Sequence, residues 1–255
     1  MDGKQGIAMR MKANRIKDFI NKEIYAAGKA GAVIGVSGGI DSAVCLALCA
    51  QVLDSVTSVF LPHREEHFKI RETVEKMSRS RNADFQMFDL TPSVGQFAAL
   101  TRCGDPMLLG NFTARLRTAY LYHMAALNNS LVINTGNRTE ILTGYCTKWG
   151  DQAGDISPLG DMYKTEVRQM AAALGVPSEI LNAPPSAGFF AGQTDELELG
   201  ISYEELDEAL MRYDSGIELS TDSENDALVL NLINRSEHKR KFPATPGRAS
   251  EEKTR

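Results

Sequence analysis

A carboxylate set among hydroxyls and glycines, Ser37-Gly38-Gly39-Ile40-Asp41-Ser42, lies between a short apolar run, Ala32 to Val36, and a longer one that begins at Ala43. That order reads as a strand, an anion-binding turn and a helix. Adjacent glycines let the backbone approach a ligand closely, while the hydroxyls of Ser37 and Ser42 and the free N–H groups of the helix start converge on one spot. The chemistry that fits is phosphate binding. The turn is neither G-x-x-x-x-G-K-[ST], which needs a lysine, nor G-x-G-x-x-G. Asp41 adds a requirement: a carboxylate beside phosphates repels them unless a divalent cation bridges, so Asp41 implies Mg2+. A second carboxylate, Glu140, ends the segment Asn134-Thr135-Gly136-Asn137-Arg138-Thr139-Glu140, and the pair could hold Mg2+ on a triphosphate. Taken singly, a glycine-rich turn also serves as a tight connection, and a glutamate after a strand as a solvated helix start.

Both groups need rigid elements behind them. Ile16, Phe19, Ile20 and Ile24 recur at helical spacing within Lys12 to Ala27, which predicts an amphipathic helix before the first strand. Asp41 to Leu53, nearly all apolar, predicts a helix buried on a sheet. Val56 to Leu61, closed by Pro62, reads as the second strand, followed by a polar helix from about Glu65 to Arg81 and a strand Phe85 to Leu90. An amphipathic helix from about Asn111 to Leu127 then leads into the apolar strand Leu131 to Thr135. Strands joined by such long crossovers pair in parallel, so the expected fold is α/β, a doubly wound parallel sheet with helices on both faces and further C-terminal helices. Ligands bind these sheets beyond the carboxyl ends of the strands where the winding reverses. The turn at Ser37 and the loop after Thr135 should therefore face each other if strands one and four are neighbours.

The segment Asn182 to Gly200, rich in Pro, Gly and Ala, is long for a structureless connection and reads as a lid or a disordered stretch. Ser202-Tyr203-Glu204-Glu205 gives a capping box for a helix to about Tyr213. Another helix, roughly Ser223 to Asn234, precedes the basic run His238-Lys239-Arg240-Lys241.

The 255 residues suffice for one large α/β domain with helical additions, here residues 1–242, with 243–255 as a flexible tail and no room for a second catalytic domain. A net charge of −5 and an ordinary apolar fraction argue against nucleic-acid and membrane partners. Cys45, Cys49, Cys103 and Cys146 show neither C-x-x-C nor zinc spacing and read as buried thiols of a reducing compartment. With charges where a signal peptide needs an apolar stretch, the protein should be cytoplasmic.

SGGIDS resembles the pyrophosphate-binding loop of the ATP pyrophosphatases, which split ATP into AMP and pyrophosphate to activate a carboxyl or carbonyl oxygen. With it come GNFTARLR at 110–117, NTGNRTEILTGYCTKWGDQAGDISPLGDMYKTEVR at 134–168, PPSAGFFAGQTDELELGISYEELD at 184–207 and HKRKFP at 238–243. In that order, and over most of the chain, they are similar to the NAD synthetases, whose fold is of the adenine nucleotide alpha-hydrolase type. The resemblance implies amidation of nicotinic acid adenine dinucleotide (deamido-NAD) by ATP and ammonia through an adenylated carboxylate.

It further implies that Gly35, Val36, Ser37, Gly38, Gly39, Ile40, Asp41 and Ser42 wrap the phosphates of ATP, with Thr135, Lys164 and Ser186 adding contacts. Asp41 and Glu140 would hold Mg2+. Arg115, Lys148, Asp155, His238 and Lys239 fall where the family contacts deamido-NAD. Asp151 falls in the loop that closes on the reacting end and is assigned to ammonia, either attracting ammonium or accepting its proton. The family also implies a homodimer with the deamido-NAD site at the interface, and the apolar surface of the helix Asn111 to Leu127 suits a twofold contact.

Ser186 stands where the family also uses Thr, which keeps the hydroxyl. Gly188-Phe189-Phe190 departs from the family pattern in the lid. Only about 30 residues precede the loop, too few for the amidase domain of glutamine-dependent members. Two other readings stand beside this one. A tRNA-thiolating or GMP synthetase-like ATP pyrophosphatase is one, and the first of these wants a basic surface and reactive cysteines that this chain lacks. The other is a nucleotide-binding regulatory module, which would be expected to have lost Asp41, Glu140 or Lys164.

Overall fold

The computed structural model describes residues 3–186, 188–189 and 192–246. A long helix, α1 (Gly3–Ala26), precedes β1 (Gly31–Gly35), α2 (Ile40–Cys49) and β2 (Val56–Phe60). Two short helices, α3 (Glu65–Lys69) and α4 (Arg71–Arg79), lead to β3 (Asp84–Met87). Then come α5 (Thr91–Thr101), α6 (Pro106–Leu127), β4 (Ser130–Ile133) and α7 (Arg138–Thr143). The C-terminal part is helical: α8 (Lys164–Ala173), α9 (Ser178–Leu181), α10 (Asp195–Leu199), α11 (Tyr203–Asp214) and α12 (Glu224–Arg235).

The four strands form one parallel sheet in the order β3-β2-β1-β4, so the chain winds outward from β1 in one direction and then returns to its other side. Strands one and four are neighbours, as the placement of the motifs requires. Alternate side chains of β1 serve opposite layers. Ala32 and Ile34 pack into a core with Ile16 and Ile20 of α1, Leu46 of α2 and Met170 of α8. Val33 joins Val59, Val132, Leu90 and Met124 on the α5–α6 face. A third apolar cluster ties Leu142 of α7 to Tyr203, Leu206, Leu210 and Val229 of α11 and α12.

The expected polar helix over 65–81 is two helices. It breaks at Ile70 (φ −89°, ψ −3°), where the side chain turns against Gly38 of the anion turn. The segment 182–200 contains α10, and Gly200 caps it in the left-handed conformation. Cys45 and Cys49 are buried, while Cys103 and Cys146 are only half-buried. Most of the expected tail, residues 247–255, and residues 187, 190 and 191 of the lid lie outside the described part. Among the described residues no helix is long and apolar enough to cross a membrane.

Candidate active site

The strand-to-helix turn after β1 is built by its own hydroxyls. Ser42 Oγ donates to Gly39 O (2.9 Å) and accepts from the Ser37 N–H (3.3 Å), while Gly39 N–H donates to Ser37 Oγ (3.1 Å). Gly38 has φ +87°, a conformation that side chains resist, and a Cβ there would stand 2.9 Å from Ile70 Cγ2. The turn therefore keeps its shape without a ligand, and the first N–H groups of α2 open onto the cleft.

Three elements converge on one ammonium. Asp41 comes from the first turn of α2, Glu140 from the first turn of α7, and Lys164 from the first residue of α8. Lys164 Nζ lies 2.6 Å from Asp41 Oδ2 and 3.1 Å from Glu140 Oε1, with the Tyr203 ring 5.5 Å away. The lysine is 3% exposed. Burial alone would lower its pKa, but the two carboxylates outweigh burial and hold it above the ordinary lysine value. Glu140 moves upward, driven first by burial and then by Asp41, with Lys164 opposing.

The placement is fixed by a second set of bonds. Thr139 Oγ1 accepts from Lys164 N–H (3.0 Å) and donates to Asp207 Oδ1 (2.5 Å), and Asp207 Oδ2 accepts from Thr165 N–H (2.8 Å). Among the described residues no group of three His, Cys, Asp or Glu is arranged to hold a metal. The donor set nonetheless suits Mg2+: two carboxylates, hard oxygen ligands, flank a phosphate-shaped turn, and the remaining ligands would be phosphate oxygens or water.

A cleft of about 1090 Å³ opens above the sheet, lined by the whole turn from Gly35 to Ser42 and by Thr135, Glu140, Lys164, Asp151, Ser186 and Lys239. Asp151 is carried on the loop after α7; its Oδ1 accepts from Thr147 N–H (2.7 Å), and its own carbonyl accepts from Asn134 Nδ2 (2.9 Å). Enclosure by protein pushes its pKa up, against the pull of the Thr147 N–H. The Lys239 ammonium donates to Gly144 O (2.7 Å) and Cys146 O (2.6 Å), which leaves one of its three donors.

The other residues matched to deamido-NAD are outside this lining. Arg115 Nε donates to Lys148 O (3.2 Å), and Lys148 Nζ donates to His238 O, which joins the three on the surface beside the exposed Trp149. Asp155 grips the outer edge of β4, accepting from Val132 N–H (2.7 Å) while its own N–H donates to Val132 O (2.8 Å).

Several cleft residues escape sequence reasoning. Asn137, fully buried, bonds Asp41 across 2.8 Å. His63 and His67, with ring centroids 4.9 Å apart, and Arg117 line or flank the wall after β2. Buried Asp195 accepts from Tyr203 OH (2.8 Å). Arg117, Asn137 and Asp195 sit inside the matched motifs, so polar residues with no assigned contact there were the available signal; nothing comparable marks the histidines. In the lid, Phe189 rests on Gly110 of α6, where a Cβ would stand 2.5 Å from the ring, and Arg64 donates to the Phe189 carbonyl. The neighbouring Phe190 is outside the described residues.

Comparison with known proteins decides the family. The NAD synthase profile matches residues 12–243. The chain belongs to the NAD synthase family. It is 39% identical over 254 residues to the NH3-dependent NAD(+) synthetase of Methanocaldococcus jannaschii, covering 94% of this chain and 98% of that one. Among solved structures of the same architecture, an NMN synthetase from Francisella tularensis superimposes with a TM-score of 0.84 at 33% identity, covering 93% and 98% of the two chains. The NH3-dependent NAD synthetase from Campylobacter jejuni gives 0.78 at 27% identity with the same coverage. The substrates of NAD synthases are deamido-NAD, ATP and ammonia.

Proposed function

We propose that this chain is an ammonia-dependent NAD synthetase, a ligase that makes the nicotinamide amide bond at the expense of ATP. The observation that carries the reading is the meeting of Asp41, Glu140 and Lys164 under a preformed anion turn, in a member of this family. A carboxylate is a poor electrophile because oxide would have to leave. Its oxygen attacks the α-phosphorus of ATP, pyrophosphate leaves, and the resulting acyl adenylate has a competent leaving group. Ammonia then attacks the acyl carbon and AMP departs.

The SGGIDS turn and Lys164 bind the pyrophosphate half of ATP, with Thr135 and Ser186 at the cleft wall. Asp41 and Glu140 would hold Mg2+, which when bound would supply charge screening between carboxylate and phosphates. Asp151, enclosed and oriented by Thr147, attracts ammonium or accepts the proton that the attacking nitrogen sheds. Arg115, Lys148, Asp155 and His238 bind deamido-NAD from the surface, and Lys239 shapes the loop between α7 and Asp151. Their position outside the cleft supports a homodimer in which a second copy completes the dinucleotide site. One catalytic domain over residues 1–242 and a cytoplasmic location complete the reading.

A second reading is amidation of the mononucleotide, favoured by the likeness to the Francisella NMN synthetase. Purified protein with ATP, Mg2+ and ammonium, offered deamido-NAD and nicotinic acid mononucleotide in parallel, tests both. NAD formation with the higher kcat/KM supports the first; preference for the mononucleotide replaces it with the second; no amide product from either ends both.

A further inference from the structure

Arg117 is a cation with no carboxylate in contact with it among the described residues. It lies on the α6 face that also carries Ala114, Thr118 and Leu121 to the cleft. Leu121 packs on Gly35, the last residue of β1. Arg117 lies one helical turn, about 6 Å, closer to the start of α6. Because α6 runs back toward the start of β4, that shift carries the guanidinium beyond the carboxyl ends of β1 and β2, across the cleft from the anion turn. Its Nε donates to Leu61 O (3.1 Å) and its Nη2 stands 3.4 Å from His63 Nδ1. Among the described residues Nη1 has no hydrogen-bond partner, and no carboxylate comes within 4.0 Å of the group. Burial pushes its pKa down to about 10, and Asp151 is the charge that opposes the fall. Arg117 is only partly buried and lines the cleft, so the donor left over at Nη1 is available to an anion bound there.

We propose that Arg117 binds the α-phosphoryl group of the nucleotide and takes up the charge that develops on it. The assignment rests on the adenylation reading above. The turn at Ser37 and the Lys164 group take the pyrophosphate end, Asp151 marks the place of the amide nitrogen, and Arg117 lines the same cleft from the β2 side, near enough to Asp151 for their charges to interact. In the first step the carboxylate oxygen bonds to the α-phosphorus as the bond to the bridging oxygen breaks, and the electron pair leaves with pyrophosphate. In the second, nitrogen bonds to the acyl carbon, the C–O bond breaks with its pair going to AMP, and the surplus proton leaves nitrogen for Asp151 or water. Both steps place negative charge on the non-bridging α-oxygens, which the planar guanidinium can bond in pairs.

The test measures thermal unfolding with AMP alone and with Mg2+-pyrophosphate alone, beside steady-state kinetics, for wild type, Arg117→Met and Arg117→Lys. Arg117→Met should keep the pyrophosphate-induced rise in Tm, lose the AMP-induced rise, and lower kcat roughly 10²-fold, with lysine recovering part. A folded Arg117→Met with an undiminished AMP response overturns the proposal, and so does loss of both responses. Should that variant not fold, Arg117→Lys decides, and kcat and AMP response both within about threefold of wild type overturn it. A wild type that makes no amide, with the AMP response still lost in the variant, sinks the substrate reading and leaves Arg117 where it is placed.

Discussion

Asn137 Nδ2 donates to Asp41 Oδ1 across 2.8 Å and so fastens the helix start after β4 to the helix start after β1. Its side-chain oxygen accepts from Glu140 N–H at 3.0 Å, and Glu140 Oε2 accepts from Asn137 N–H at 3.2 Å. One residue thus orients both carboxylates, its side-chain amide holding Asp41 and its backbone N–H holding Glu140. Asn137→Ala should lower stability by about 1–3 kcal/mol in urea unfolding, through the lost cap and an underused Asp41. An unchanged unfolding midpoint would show that the amide organises nothing.

Asp41→Asn and Glu140→Gln should each reduce turnover by roughly 10²-fold or more with the fold intact, the scale for removing one preorganised charge-stabilising group. Circular dichroism and steady-state rates check this together. Turnover within a few-fold of wild type in both variants would remove the metal assignment.

Free ammonia is the expected attacking species. At fixed total ammonium the rate should climb as pH rises toward the ammonium pKa, and glutamine alone should support no product. Robust NAD formation from glutamine by the purified chain contradicts the reading.

The two cleft histidines give a stability prediction. Burial, with Arg117 adding to it, pushes His63 down to about 3 and His67 to about 4. As pH falls from 6.5 toward those values the unfolded chain binds protons that the folded rings refuse, so stability falls with acidification through that window. The loss should be roughly 1 kcal/mol per ring after allowance for their partial exposure. His63→Gln/His67→Gln should show a shallower pH dependence of the urea midpoint between pH 5 and 7, and an identical slope would refute the assignment.

Leu108, 61% exposed, and Tyr122, 39% exposed, lie on one side of α6, with Tyr122 beside Asp155. If that face pairs two copies, Leu108→Glu should shift sedimentation toward monomer and raise the KM for deamido-NAD. A wild-type protein that is monomeric at micromolar concentration with full activity rules the pairing out.

The pairing of strands one and four is seen only in the fold, whereas the strands and the anion turn can be read from the sequence because short, continuously apolar runs and the glycine pair are local signals. The weakly patterned α5 cannot, since Val94 is its one buried residue. The approach of Asp41 and Glu140 could be expected if strands one and four are neighbours, but only the resemblance brings Lys164 to the same place, for no periodicity relates residue 164 to 41 or 140. The dependence of Thr139 and Thr165 on Asp207 needs the fold itself, because α11 must first dock beneath α7 and α8. Lys239 shows what a motif match leaves out: besides the ligand contact the resemblance implies, its ammonium holds two carbonyls of the loop after α7.

The clamp of Asp155 on Val132, joined by the Asn134 N–H bond to Ile156 O, has a bearing on solubility. β4 is an edge strand, and an edge with unpaired donors recruits strands from other molecules. Here the loop that presents Asp151 also occupies the outer N–H groups of Val132 and Asn134. A newly made chain therefore stays open to edge-to-edge aggregation until this loop has docked, and substitutions in residues 151–156 should be recovered in inclusion bodies more often than their effect on the rate alone would suggest.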